Sequence, residues 1–113
     1  MLDQITPAQL AQWLQSLPTT AKPVVLDVRE PWEWQTASVQ AEGFSLVTLP
    51  MGEIPARLAE LDPTQPVACL CHHGARSQRV AVYLLQNGFE QVVNIAGGID
   101  AWSQQLDTGV PRY

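Results

Sequence analysis

The stretch CLCHHGARSQR, residues 69–79, gathers two cysteines, two histidines and two arginines into one short run. Those residue types suit two chemistries: a soft-metal site built from Cys69, Cys71, His72 and His73, or a thiol nucleophile at Cys71 held in an anion cradle. Neighbouring residues of an extended strand point to opposite faces, so His72 would leave the face that Cys69 and Cys71 share, and structural zinc sites prefer two separated ligand pairs. No metal site is therefore expected. For the nucleophile the order of residues is favourable. Cys71 ends the apolar run VACLC, Gly74 lets HHGAR curl tightly, and a helix begins near Arg76 and Ser77. The backbone N–H groups of His72, His73, Gly74, Ala75, Arg76 and Ser77 would then form a nest, with the positive helix end behind it. Together with the Arg76 charge, this arrangement favours the thiolate, an activated nucleophile.

Cys69 lies two residues earlier, between Ala68 and Leu70, as a small core residue or, alternatively, a resolving thiol. A Cys69–Cys71 disulfide is geometrically poor, because strand residues at i and i+2 lie about 6.5 Å apart with no turn between them. His72 and His73 read equally as partly exposed loop residues or as donors to an oxyanion.

Charge sharpens the picture around this run. The chain carries a formal charge of -5 with only 6 Lys and Arg, which excludes a general nucleic-acid binder. Between Asp62 and Glu90, however, there is no acidic residue, while His72, His73, Arg76 and Arg79 all fall there, so the local field is expected to be positive. No apolar run approaches the roughly 20 residues of a membrane span, and MLDQITPAQL lacks the basic and then apolar blocks of a signal peptide. A cytoplasmic protein without a membrane partner is the expectation, and in that compartment the thiols stay reduced.

The elements that must position Cys71 follow from the pattern. With 113 residues, 46% apolar and 15% charged, the chain is expected to form a single domain over residues 1–113. ITPAQLAQWLQSL predicts a helix with Thr6 as N-cap, Pro7 at the first position, Gln9 closing a capping box, and Leu10, Trp13, Leu14 and Leu17 inward. VVLDV, FSLVTL, VACLC and QVVNI read as strands. Between them, REPWEWQTA, PARLAEL and SQRVAVYLLQNG read as helices, the last stopping at Gly88, and IDAWSQQL forms a short final one. Such alternation predicts an α/β fold: a mainly parallel central sheet of about five strands with helices on both faces, its site at the C-terminal strand ends.

CHHGARS resembles the active-site loop of the rhodanese sulfurtransferases, in particular their small single-domain form. LDVREPWEW is similar to the family's Asp-Val-Arg followed by an acidic and aromatic pair, here Glu33 and Trp34. LPMGEIPARLAEL resembles its proline-bearing connection, and GGIDAW, residues 97–102, its Gly-Gly signature. The resemblance implies a rhodanese-like three-layer fold. It also implies that Cys71 attacks the outer sulfur of a small anionic donor such as thiosulfate, releasing sulfite and forming a persulfide that cyanide or a thiol, free or on a protein, then collects. No cofactor is implied, and Arg76 would favour the anionic donor. SVQAEGFSLVTL keeps only Gly43 of the family's His-Ile-Pro-Gly-Ala type stretch, which touches on donor preference. Asp27, Arg29 and Glu33 are expected to form a supporting ion and hydrogen-bond network, and Trp32, Trp34 and Trp102 to pack.

Other readings stand beside this one. Tyrosine phosphatases, on related folds, place five residues between Cys and Arg, which would put Arg at 77, where this chain has Ser. A non-catalytic binding module on the same fold is countered by the presence of Cys71, Gly74 and Arg76. A persulfide carrier in a protein relay uses the same chemistry, and the sequence does not separate it from a free enzyme.

Overall fold

The computed structural model describes residues 2–113. Five strands form one sheet in the order β1-β5-β4-β2-β3, with every pairing parallel. They are β1 (Asp3–Ile5), β2 (Val24–Asp27), β3 (Ser45–Thr48), β4 (Val67–Leu70) and β5 (Val92–Ile95). Four of these match the apolar runs. β1 was not foreseen: three residues long and at the sheet edge, it pairs only with β5, and DQI shows no apolar alternation.

The helices are α1 (Leu10–Ser16), α2 (Pro31–Thr36), α3 (Ile54–Arg57), α4 (Ala75–Gln86) and α5 (Gly98–Gln105). The predicted first helix begins as a 3-10 turn, Pro7–Gln9, with the Thr6 N–H donating to Gln9 Oε1 at 2.9 Å. α4 starts at Ala75 and ends at a glycine-closed stop, where Gly88 takes φ +88° and the Phe89 N–H reaches back to the Leu84 carbonyl at 3.1 Å.

Strand alternation sorts the core into two layers. On one face Val24, Leu26, Val28, Val67, Cys69, Cys71 and Val92 meet Ile54 of α3 and Val80, Ala81 and Leu84 of α4. On the other, Val25, Ala68, Leu70, Val93 and Ile95 meet Leu10 of α1 and Ile99 and Trp102 of α5. Helices therefore cover both faces, as the patterning predicts. The chain moves outward from β2 to β3 and then returns to place β4 on the other side of β2, so the connections after β2 and β4 diverge. A crevice opens at such a point, beyond the C-terminal strand ends. No helix among the described residues is long and apolar enough to cross a membrane.

Candidate active site

Cys71 follows β4 directly and is buried, 1% exposed. Two donors converge on its sulfur: the Gly74 N–H at 3.0 Å and the Ser77 Oγ at 3.3 Å. Gly74 is the N-cap of α4 with φ +104°, a conformation closed to most side chains, and a Cβ there would stand 3.1 Å from the Gly97 nitrogen. The first-turn amides of α4 have no intrahelical acceptor, so the positive end of a twelve-residue helix faces the sulfur.

The loop's carbonyls are held from the opposite side. Ile99 N–H donates to the Cys71 carbonyl at 2.8 Å and Asp100 N–H to the His72 carbonyl at 3.1 Å, so the N-terminal amides of α5 find their acceptors in the loop after β4. This approach explains the Gly-Gly pair. A Cβ on Gly98 would lie 2.4 Å from both carbonyl oxygens, and one on Gly97 would lie 2.6 Å from the Ala101 Cβ.

Charged groups surround the loop in matched pairs. Arg29, with no exposed surface, places Nε and Nη2 on the Asp27 carboxylate at 2.8 and 2.7 Å and donates from Nη2 to the Ala37 carbonyl at 2.8 Å. Its Nη1 donates to the Glu33 carbonyl at 3.2 Å and to the Tyr113 hydroxyl at 2.9 Å. The Glu33 carboxylate, 2% exposed, takes two bonds from Arg76, at 2.7 and 2.8 Å, one from Tyr113 Oη at 2.8 Å and one from its own helix N-cap, Glu30 N–H, at 2.9 Å. The Arg76 bonds, aided by those of Glu30 and Tyr113, hold the Glu33 carboxyl at about 2, well below its ordinary range, despite burial. Asp27, Arg29 and Glu33 are thus joined through ion and hydrogen bonds, and Arg76 turns its guanidinium onto Glu33.

The two histidines differ. His73 is exposed, whereas His72 is half-buried with its ring sandwiched between His73, at 4.0 Å, and Tyr113, at 3.9 Å and nearly parallel. Burial, and next the neighbouring His73, lower the His72 pKa and favour the neutral ring. Its buried Nε2 has no hydrogen-bond partner among the described residues, as suits an uncharged imidazole.

Cys69 has no exposed surface, and burial pushes its thiol far up, in keeping with a core residue. Trp102 packs in the core at 3% exposure, but Trp32 is 61% exposed and meets Tyr113 only in a T-shaped contact, 6.1 Å between ring centroids, which corrects the packing role expected of it.

A model of the rhodanese-like domain matches residues 10–105. The chain belongs to the rhodanese family. This rhodanese is 33% identical over 104 residues to a sulfurtransferase of Allochromatium vinosum, covering 92% of this chain and 91% of that protein. It is 37% identical over 78 residues to the thiosulfate sulfurtransferase GlpE of Vibrio cholerae, covering 69% of this chain and 70% of that one. Some longer relatives are matched over only 26 to 30% of their length. Among solved structures, a rhodanese-like domain protein from Staphylococcus aureus superposes with a TM-score of 0.75 at 27% identity, each chain 99% covered. The relatives support a sulfurtransferase role for this rhodanese.

Two residues of the rhodanese site were not singled out from the sequence. Tyr113 lies 84 positions from Arg29 and 80 from Glu33, and nothing in PRY marks it. Asn94 lay within a predicted strand, where one polar residue among Val92, Val93 and Ile95 was the signal available.

Proposed function

We propose that this rhodanese moves sulfane sulfur from thiosulfate, or a similar small anionic donor, through a Cys71 persulfide to a thiophilic acceptor. The observation that carries the reading is the convergence of Gly74 N–H and Ser77 Oγ on the Cys71 sulfur at the N-terminus of α4. The Cys71 thiolate attacks the outer sulfur of the donor. A new S–S bond forms as the old one breaks, and its electron pair leaves on sulfite. The persulfide anion then lies where the Gly74 N–H, the Ser77 hydroxyl and the helix end stabilise negative charge. Cyanide, a small thiol or a protein thiol attacks the terminal sulfur, and the electron pair returns to Cys71 as the thiolate. Alternation between two enzyme forms gives ping-pong kinetics.

A phosphatase reading has less support. Ser77, where that chemistry wants arginine, is fully buried against the sulfur, and Arg76 lies on Glu33. Intact mass spectrometry after incubation with thiosulfate tests the proposal. One sulfur atom should be added, removable by cyanide or dithiothreitol and absent in Cys71→Ser. An unchanged mass in the unmodified protein would overturn it.

A further inference from the structure

Asn94 is 1% exposed and stands on the α4-facing side of β5, in a strand otherwise made of valine and isoleucine. Its register neighbours are Cys69 on β4 and Gln4 on β1. Burying a carboxamide costs several kcal/mol unless its hydrogen bonds are made, so its partners show why the fold tolerates it there. The Nδ2 donates to Gln4 Oε1 at 2.9 Å and to the Gly74 carbonyl at 3.1 Å, and Oδ1 accepts from the Ser77 hydroxyl at 2.5 Å. Both groups held at the active-site end are residues whose donors touch the Cys71 sulfur.

We propose that Asn94 is the positioning residue of the sulfur cradle, holding Gly74 through its carbonyl and Ser77 through its hydroxyl so that both donors face Cys71. The proposal rests on Cys71 being the reactive thiol of the reading above. Ser77 has a single hydroxyl proton and three acceptors in reach: Asn94 Oδ1 at 2.5 Å, and Cys71 Sγ and the Gly74 carbonyl at 3.3 Å each. The Ser77 Oγ thus stands between Asn94 Oδ1 and Cys71 Sγ, within donating reach of both. When the sulfur carries negative charge, the same hydroxyl turns to it. Gln4 fixes which way the amide faces, because two acceptors on the Nδ2 side leave only Oδ1 for Ser77. Asn94 touches neither the sulfur nor the donor and acts through its two neighbours.

The test is the pH profile of Cys71 alkylation by iodoacetamide, followed by intact mass, in the unmodified protein, Asn94→Ala, Ser77→Ala and the double variant. Arg76 on α4, His72 and His73 of the loop, Glu33 on α2, Cys69 on β4 and Asp100 on α5 are the same in all four, so a displaced profile reports the cradle. Ser77→Ala should move the profile to higher pH and slow alkylation at neutral pH roughly tenfold, the worth of one hydrogen bond to a charged group, and Asn94→Ala should move it the same way, because losing its hold on both Gly74 and Ser77 outweighs freeing the hydroxyl from Oδ1. The double variant should be little slower than the worse single one, because Asn94 acts largely through Ser77. An unmoved profile in Asn94→Ala, or fully additive effects, would overturn the assignment. Should Asn94→Ala fail to fold, Asn94→Asp keeps the shape and brings a carboxylate behind the hydroxyl. Its profile should move still further up, and an unmoved one overturns the proposal. If the unmodified protein takes no sulfur from thiosulfate, the functional reading fails, and the alkylation profiles still decide the role of Asn94.

Discussion

Arg76 and Glu33 lie fork to fork, two N–H···O bonds of 2.7 and 2.8 Å joining residues 43 positions apart. One follows β4 and the other follows β2, so the pair closes the crevice where the chain changes direction across the sheet. Bidentate guanidinium–carboxylate pairing fixes orientation as well as distance, and it fixes the first turn of α4 against α2.

Removing this pair should be felt in stability and in its pH dependence. The Glu33 carboxyl is held at about 2 against an ordinary 4.5, so its contribution is complete above about pH 4.5 and is lost as pH falls through about 2. Glu33→Gln should cost roughly 3 kcal/mol at neutral pH, near the low end for orphaning a buried ion partner because Arg76 keeps 32% of its side chain in water. Urea denaturation at pH 7 and pH 3 measures both effects, and the difference between the proteins should shrink at the lower pH.

Gly98→Ala should disable the loop without touching a reacting atom. The new Cβ would stand 2.4 Å from the Cys71 and His72 carbonyl oxygens, on a backbone with φ +60°. Either α5 or the loop must retreat, which breaks the Ile99 and Asp100 amide bonds to those carbonyls. Left-handed strain alone costs about 1–3 kcal/mol for a residue with a side chain, and the clash adds to it. A lower thermal midpoint together with lost sulfur loading is expected, whereas Gly52→Ala, where nothing lies within 4 Å, should leave loading intact.

The two cysteines should behave as unlike groups. Cys69 packs wholly inside the core layer beneath α4, with its thiol pushed far up by burial. Iodoacetamide should give a single adduct under native conditions, at Cys71, and a second only after unfolding. Cys69→Ala should cost about 1–2 kcal/mol as a small cavity and leave sulfur loading unchanged, as mass spectrometry of the loaded protein will show.

Local signals explain what could be read in advance. VVLDV reads as a strand buried on both faces and VACLC and QVVNI as strands, and all three are fully buried strands; in the run from Cys71 to Ser77 the order of cysteine, glycine and helix start is local and legible, though only Gly74 N–H and Ser77 Oγ reach the sulfur. Long-range relations were not visible. β1 is held by a neighbour strand some ninety residues away, and Arg76 pairs with Glu33 because of where the sheet reverses. Asn94 looked like a strand residue because its bonds to Gly74 and Ser77 exist only once β5 lies beside β4. The short segment PARLAEL contributes only its first three residues to the α-helix Ile54–Arg57, which lies between 3-10 turns, because so short a helix has little cooperativity to extend it.

Tyr113 should be separable into two parts by substitution. Its hydroxyl accepts from Arg29 Nη1 at 2.9 Å and donates to Glu33 Oε1 at 2.8 Å, while its ring lies 3.9 Å from the His72 ring at 8°. Tyr113→Phe keeps the stack and removes the bridge between two charged groups, at a cost of roughly 1–2 kcal/mol in urea denaturation. Tyr113→Ala removes the ring as well and opens His72 to water. Because burial is the main cause of the lowered His72 pKa, that variant should raise the His72 titration midpoint in proton NMR, whereas Phe should leave it near the starting value. The sign for stability follows: a histidine kept neutral by the fold opposes acidification, so the native protein loses stability as pH falls below 6.5 toward the lowered value. In Tyr113→Ala that loss should be smaller between pH 7 and 5. Equal His72 midpoints in the native protein and the alanine variant would show that Tyr113 does not shield the ring.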